Sequence, residues 1–202
     1  MSHSCLVTKQ ADRRSINETL VVQLLVHTGF SIKLISRLPL RNNLAALGES
    51  AVHRCINSMN QPLAFEDKDT GWAKRPCREK PGQAVRSYED LAEYSLLASI
   101  YHYLFEDKVY EGLTIYNVIQ AYDFYSDMRG DSEEGIAKGT KSKKITPDSA
   151  YYISRELYEH NATIPFCKSC NPRFYSSAGQ LLINVCPFCR EVSDSDVMAI
   201  HT

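Results

Sequence analysis

Residues 166 to 190, FCKSCNPRFYSSAGQLLINVCPFCR, hold two C-x-x-C pairs, Cys167/Cys170 and Cys186/Cys189, with residues 171 to 185 between them. Two cysteines at this spacing can meet one metal ion from a single tight turn, so two pairs close a tetrahedral shell of four sulfurs. No other feature constrains the fold as much. Holding a structural ion is worth on the order of 10 kcal/mol, enough to order a ribbon that has no core of its own. The pattern predicts one structural zinc ion per chain on these four cysteines. Pro187 stiffens the second turn. Phe174–Tyr175 and Leu181–Val185 are strand candidates around a Ser/Gly turn, and a β-hairpin made from them would carry the two knuckles together as a zinc ribbon.

Other uses of the same cysteines fit less well. A redox C-x-x-C opens a helix after a strand in a βαβ unit, whereas the strand candidates of this chain are few and terminal. A catalytic zinc needs an open coordination position, which four cysteines close. The deaminase pattern requires H-x-E, absent from the chain. His160, near the first pair, reads as a helix-end residue capping carbonyls rather than as a ligand.

The 202 residues, 44% hydrophobic and 23% charged, suit one large domain or two small ones. The seven cysteines are an odd number, which fits a disulfide framework poorly. Cys5, Cys55 and Cys77 read as free thiols. The first residues lack the apolar core of a signal peptide and no apolar run reaches membrane-helix length, so the expected location is the cytoplasm, with no membrane association.

The net charge of −1 conceals a segregation. Basic residues gather in 1–60, in 74–86 and in KGTKSKK (138–144), while acid gathers in FEDKD (65–69), SDMRGDSEE (126–134) and EVSDSD (191–196). Charge divided in this way can present a basic face to nucleic acid, and solvated surface is the competing reading.

Helical patterning dominates the remainder. SINETLVVQLLVHTGFSIKLISRL (15–38) reads as a helix with a Ser15/Glu18 capping box, an apolar stripe through Ile16, Leu20 and Leu24 and through Val21 and Leu25, and a candidate break at Gly29. Pro39 ends it. A second helix over 42–57 turns Leu44, Leu47, Val52, Cys55 and Ile56 inward, giving a helix-turn-helix-like hairpin with arginines at 37, 41 and 54. Residues 57–86 read as a loop that holds Trp72. Three further helices are expected over 87–107, 112–128 and 146–160, with Ser87 and Thr146 as caps and Pro147 at the first helical position. Eleven tyrosines between 88 and 158 read as amphipathic rings lining helix contacts, a base-stacking platform being the alternative. The expected architecture is mainly α: N-terminal helices over 1–60, a linker over 61–86, a helical region over 87–160, and a zinc ribbon with a short acidic tail over 161–202.

With helices followed by a four-cysteine ribbon in view, the chain resembles the FlhC family, the zinc-containing subunit of the bacterial flagellar master activator. The resemblance runs from about residue 20 to 190. VIQAYDFY (118–125) is similar to that family's V-I-x-A-Y-x-x-Y helix, and AYYISRELYEHNATIPFCKSC (150–170) resembles its approach to the first knuckle. Cys167, Cys170, Cys186 and Cys189 fall on the family's zinc ligands. A reduced proline/glycine loop, a lysine-rich insertion and a short acidic tail depart from the family pattern and suggest a relative outside the enteric flagellar set, such as the FlhC-like activators carried by conjugative elements.

The resemblance implies a transcription activator that binds double-stranded promoter DNA with an FlhD-like subunit, in a heterohexamer that engages RNA polymerase. The expected DNA contacts are the basic set Arg37, Arg41, Arg54, Lys74, Arg75, Arg78, Lys141, Lys143, Lys144, Lys168, Arg173 and Arg190. The competing class is a zinc-ribbon adaptor that binds other proteins and not DNA. An enzyme is not expected, since neither a nucleophile signature nor a phosphate-binding glycine loop occurs.

Overall fold

The computed structural model describes residues 19–38, 47–57, 81–130, 144–182 and 184–191. The chain divides into two compact units, residues 1–77 and 78–202.

In the first unit the pattern expected to give one helix over 15–38 gives two. Helix α1 covers 19–28 and stops at Gly29, whose φ of 95° suits a residue without a side chain. The Gly29 amide donates to the Val26 carbonyl (3.0 Å) and the Phe30 amide to the Leu25 carbonyl (3.0 Å), which is the Schellman pairing of a left-handed cap. Ser31 then caps the short α2 (Ile32–Ile35) by accepting from the Leu34 amide at 3.2 Å. Helix α3 (Glu49–Asn57) begins later than the sequence pattern indicates, after Gly48 at φ 73°, and the Gly48 amide donates to the Ser36 carbonyl at 3.2 Å. Val22, Leu25, Phe30, Leu34, Ile35, Leu38 and Val52 are buried. The expected stripe is corrected in one respect: Leu20 and Leu24 face solvent, because the buried seam of α1 passes through Val22 and Leu25. The expected Ser15/Glu18 cap, Ile16, Leu44 and the Trp72 loop lie outside the described residues.

The second unit is built on α4 (Tyr88–Phe105), which packs against α5 (Ile115–Arg129) and α6 (Pro147–Tyr158). Each start has a local cause. Ser87 accepts from the Asp90 amide at 3.1 Å, Thr114 and Asn117 form a reciprocal capping box, and Thr146 accepts from the Ser149 amide at 3.2 Å with Pro147 opening the helix. Nine of the eighteen residues of α4 are buried, Leu91, Leu97, Ala98 and Tyr101 among them, so it is the central helix.

Three of the tyrosines serve as helix-contact residues, while Tyr103, Tyr116 and Tyr158 are exposed. The Tyr101 hydroxyl donates to the Ala150 carbonyl (2.9 Å), that of Tyr122 to the Ile145 carbonyl (3.2 Å), and that of Tyr125 to the buried Glu93 (2.7 Å). Short 3-10 turns at Pro81–Ala84 and Glu106–Tyr110 complete the helical part. Among the described residues, no helix is long and apolar enough to cross a membrane.

After α6 the chain enters a two-stranded antiparallel sheet. Strand β1 (Ala162–Thr163) pairs with β2 (Ser176–Ser177) in the register Ala162 to Ser177 and Thr163 to Ser176, extended by a bridge from Phe166 to Arg173. This corrects the expected hairpin. Phe174–Tyr175 does lie on a sheet arm, but its partner is the segment before the first knuckle, and the described part of 181–185 forms no strand with it. The protein is thus mainly helical, with a carboxyl-terminal four-cysteine ribbon.

Candidate metal centre

The first knuckle is the tip of that hairpin. The Cys167 amide donates to the Pro172 carbonyl and the Asn171 amide to the Cys167 carbonyl, both at 2.9 Å. The second knuckle repeats this pattern at the same offsets: the Cys186 amide donates to the Glu191 carbonyl (3.0 Å) and the Arg190 amide to the Cys186 carbonyl (2.8 Å). Asn171 and Arg190, each following the second cysteine of its pair, both take left-handed backbone, φ 71° and 62°. Asn tolerates that region and Arg does so less readily, so closure of the second turn holds Arg190 against a local preference. The C-x-x-C spacing shows the turns but not the residues that must turn left after them.

The two turns bring four sulfurs to one point, all within 4.8 Å of one another. The Sγ atoms of Cys167 and Cys189 are 3.6 Å apart and those of Cys170 and Cys186 are 3.5 Å apart. A tetrahedral ion with metal–sulfur bonds of about 2.3 Å requires sulfurs about 3.8 Å apart, so the donor set fits a single ion with little movement. Cys167 and Cys186 are buried and pack on Phe174, which is fully buried and forms the apolar floor of the centre. Beyond the sulfurs, Ser169 of the first knuckle donates to the Glu191 carboxylate at the exit of the second.

The ribbon is mounted on the helices. The Tyr175 amide donates to Ser95 Oγ (3.1 Å) and Ser99 Oγ donates to the Arg173 carbonyl (3.2 Å), both on α4. The Tyr175 hydroxyl donates to Glu156 on α6, and the Arg190 guanidinium lies 5.0 Å from the ring centroid of Tyr88 at the start of α4. Gly82 sits where a side chain would strike Ser177, and its amide donates to Glu156 at 3.4 Å. His160 ends α6 with φ 55° and stacks on Tyr110, outside the sulfur cluster.

The four thiols differ before any ion arrives. The Cys170 and Ser169 amides donate to the Cys167 sulfur and hold its thiol down at about 6. Loss of surrounding water pushes Cys186 up against the opposing pull of the Cys189 and Phe188 amides, and the same loss, joined by the neighbouring thiols, pushes Cys170 up. At pH 7 Cys167 is therefore already mostly thiolate, while Cys170 and Cys186 must each give up a proton to a bound ion. Loading should release at least about two protons per ion, and log affinity should rise with pH near neutrality by at least about two per unit. Metal titrations in buffers of different ionisation enthalpy check this, and a slope of zero would mean that Cys170 and Cys186 are already thiolates before the ion arrives.

The basic set is scattered. Arg37 and Arg54 are exposed in the first unit. In the second, Lys168 and Arg173 are exposed on the first knuckle and Arg190 on the second, while Lys144 reaches the carbonyls of Ser126 and Gly130 at the end of α5 at 3.5 Å. Arg173 also donates to the Ile164 carbonyl at 3.3 Å. Arg41, Lys74, Arg75, Arg78, Lys141 and Lys143 lie outside the described residues. Within the second unit, Lys168, Arg173 and Arg190 are the three that the ribbon places around the metal centre.

Fold and site together define a mainly helical protein whose carboxyl-terminal ribbon carries a metal-ready shell of four cysteines. No protein-family model matches the chain, and no curated protein matches it significantly.

Proposed function

We propose that the chain is an FlhC-like DNA-binding subunit of a transcription activator, acting in the cytoplasm with a smaller FlhD-like partner on flagellar or conjugative-transfer promoters. The observation that carries this reading is the closed four-sulfur centre with Lys168, Arg173 and Arg190 on its two turns. A closed shell leaves an ion no position for substrate, so its work is to hold a surface still. Zinc is the ion this reading assigns: it has no redox chemistry, accepts four thiolates in tetrahedral geometry, and is held by Cys167, Cys170, Cys186 and Cys189. When bound it supplies rigidity. Loaded with zinc, four thiolates leave a local charge of about −2, and on this reading the exposed Lys168, Arg173 and Arg190 offset it and exchange part of their present contacts for phosphates.

Exposed Phe166, Phe188 and Leu181 on the same ribbon favour a second reading, a protein-binding adaptor. Mobility shifts on candidate promoter fragments, with and without the FlhD-like partner, separate the two. The activator reading expects a shift whose salt dependence flattens by about 0.9 log unit for each phosphate that Lys168→Glu and Arg173→Gln leave without its cation. An unchanged slope removes these residues from the interface, and absence of any shift with the partner present favours the adaptor.

A further inference from the structure

The four sulfurs of the ribbon do not stand alike toward water. Cys170 is exposed and Cys189 half-buried, one from each knuckle, while Cys167 and Cys186, the first cysteine of each knuckle, are buried. The close sulfur contacts, Cys167 to Cys189 at 3.6 Å and Cys170 to Cys186 at 3.5 Å, both run from one knuckle to the other. Each therefore sets a buried sulfur against one nearer the solvent. The pairs are nested, 170 with 186 inside 167 with 189, so both can close at once. A bound ion holds the sulfurs about 3.8 Å apart, and the same neighbours stay within reach when the centre is loaded. A small oxidant meets the outer sulfur of each pair, and the inner one stands where it completes a disulfide. An accessible sulfur beside a resolving one is the arrangement that oxidation-sensitive cysteines share.

We propose that the sulfur centre is a reversible peroxide-sensitive switch, in which oxidation forms the cross-knuckle disulfides Cys167–Cys189 and Cys170–Cys186 and expels the zinc ion. This rests on the zinc reading above and adds a regulatory role to it. First the Cys170 sulfur attacks one oxygen of hydrogen peroxide: the O–O bond breaks, hydroxide leaves, and the sulfur carries the hydroxyl of a sulfenic acid. The Cys186 thiolate then attacks that sulfur, the S–S bond forms, the S–O bond breaks and a second hydroxide leaves. Another peroxide molecule does the same at Cys189, with Cys167 resolving. In sum the four thiolates give up four electrons, two peroxide molecules take them up as four hydroxide ions, and the zinc leaves as the dication. A dithiol reverses both bonds by exchange and returns four thiols that bind zinc again.

The test uses the full chain loaded with zinc, treated with hydrogen peroxide beside a zinc-sensitive dye. Bound zinc should fall roughly tenfold or more as the thiols disappear, and a dithiol with added zinc should restore it. Trypsin cuts after Lys168, Arg173 and Arg190, which places Cys167, Cys170 and the pair Cys186/Cys189 on three peptides. Without reduction the proposed bonds join all three into one species, whose fragmentation shows Cys170 on Cys186 and Cys167 on Cys189. Bonds inside each knuckle would instead leave residues 174–190 as a separate peptide and overturn the pairing. Cys5, Cys55 and Cys77 fall on other peptides, so their oxidation is not mistaken for that of the centre. Zinc retained through the oxidation, or a loss that the dithiol does not reverse, overturns the switch. A chain that holds no zinc before peroxide is added overturns the metal centre itself, and the switch with it, which sets that failure apart from failure of the switch alone.

Discussion

Cys186→Ser should abolish stoichiometric metal binding and unfold the ribbon while leaving helices α4, α5 and α6 formed. Cys186 is the telling position because it is fully buried, packs against Phe174 and begins the second knuckle, whereas Cys170 is exposed. With serine there the shell loses a thiolate, and the apolar floor must accommodate a hydroxyl. The stake is on the order of 10 kcal/mol of metal-linked folding energy, comparable with the whole stability of a typical domain, so the ribbon cannot survive on its hydrogen bonds. The helices have support of their own, since Tyr101, Tyr122 and Tyr125 tie them together without using the ribbon. The ribbon's contacts through Ser95, Ser99, Glu156 and Tyr88 would be released, so the surviving helical unit should melt at a lower temperature. Elemental analysis, amide exchange over 161–191 and the helical circular dichroism signal read these effects separately. A strong chelator should bring the wild type to the same end state. A variant that keeps both its metal and its exchange protection would show that the four sulfurs do not form the centre.

What was legible in the sequence follows the range over which each signal acts. The three helices of the second unit and the Ser87 and Thr146 caps are set by side chains within one turn of the residue they satisfy, and local pattern reveals them. The four cysteines are equally local, two residues per turn, and only their number was needed to bring the turns together. The strand partner was not legible. Phe174–Tyr175 has two apolar neighbours in sequence, one on each side of it, and the choice fell to the segment before the knuckle because the Cys167 to Pro172 turn already folds those arms together. Nor was the exposure of Leu20 and Leu24 visible, since the α1 pattern supports two apolar seams and burial falls on the one through Val22 and Leu25. Tertiary partners such as Ser95 and Glu156 carry no sequence mark at all.

The second large effect concerns Glu93, a carboxylate only 1% exposed in the middle of α4. Both of its oxygens lie close to Arg129 Nε, at 2.9 and 3.0 Å, and one of them also accepts from Tyr125 at 2.7 Å. The Tyr125 oxygen in turn accepts from the Ile145 amide at 2.9 Å, so a single chain of bonds joins α4, α5 and the entry to α6. Burial and then the neighbouring carboxylate push the Tyr125 hydroxyl far above its ordinary range, which keeps it a donor at any working pH. Arg129→Met should remove the cation and leave Glu93 buried without its countercharge, a loss of about 3–5 kcal/mol. Glu93→Gln strands the arginine instead and should cost a similar amount. The double variant E93Q/R129M should lose far less than the sum, because an apolar stem beside a neutral amide that still accepts from Tyr125 leaves no unpaired charge. Denaturant titration of the four proteins gives the coupling directly. Single variants within about 1 kcal/mol of wild type would place the pair in a solvated setting, and strictly additive losses would mean that Glu93 and Arg129 stabilise the bundle through other partners.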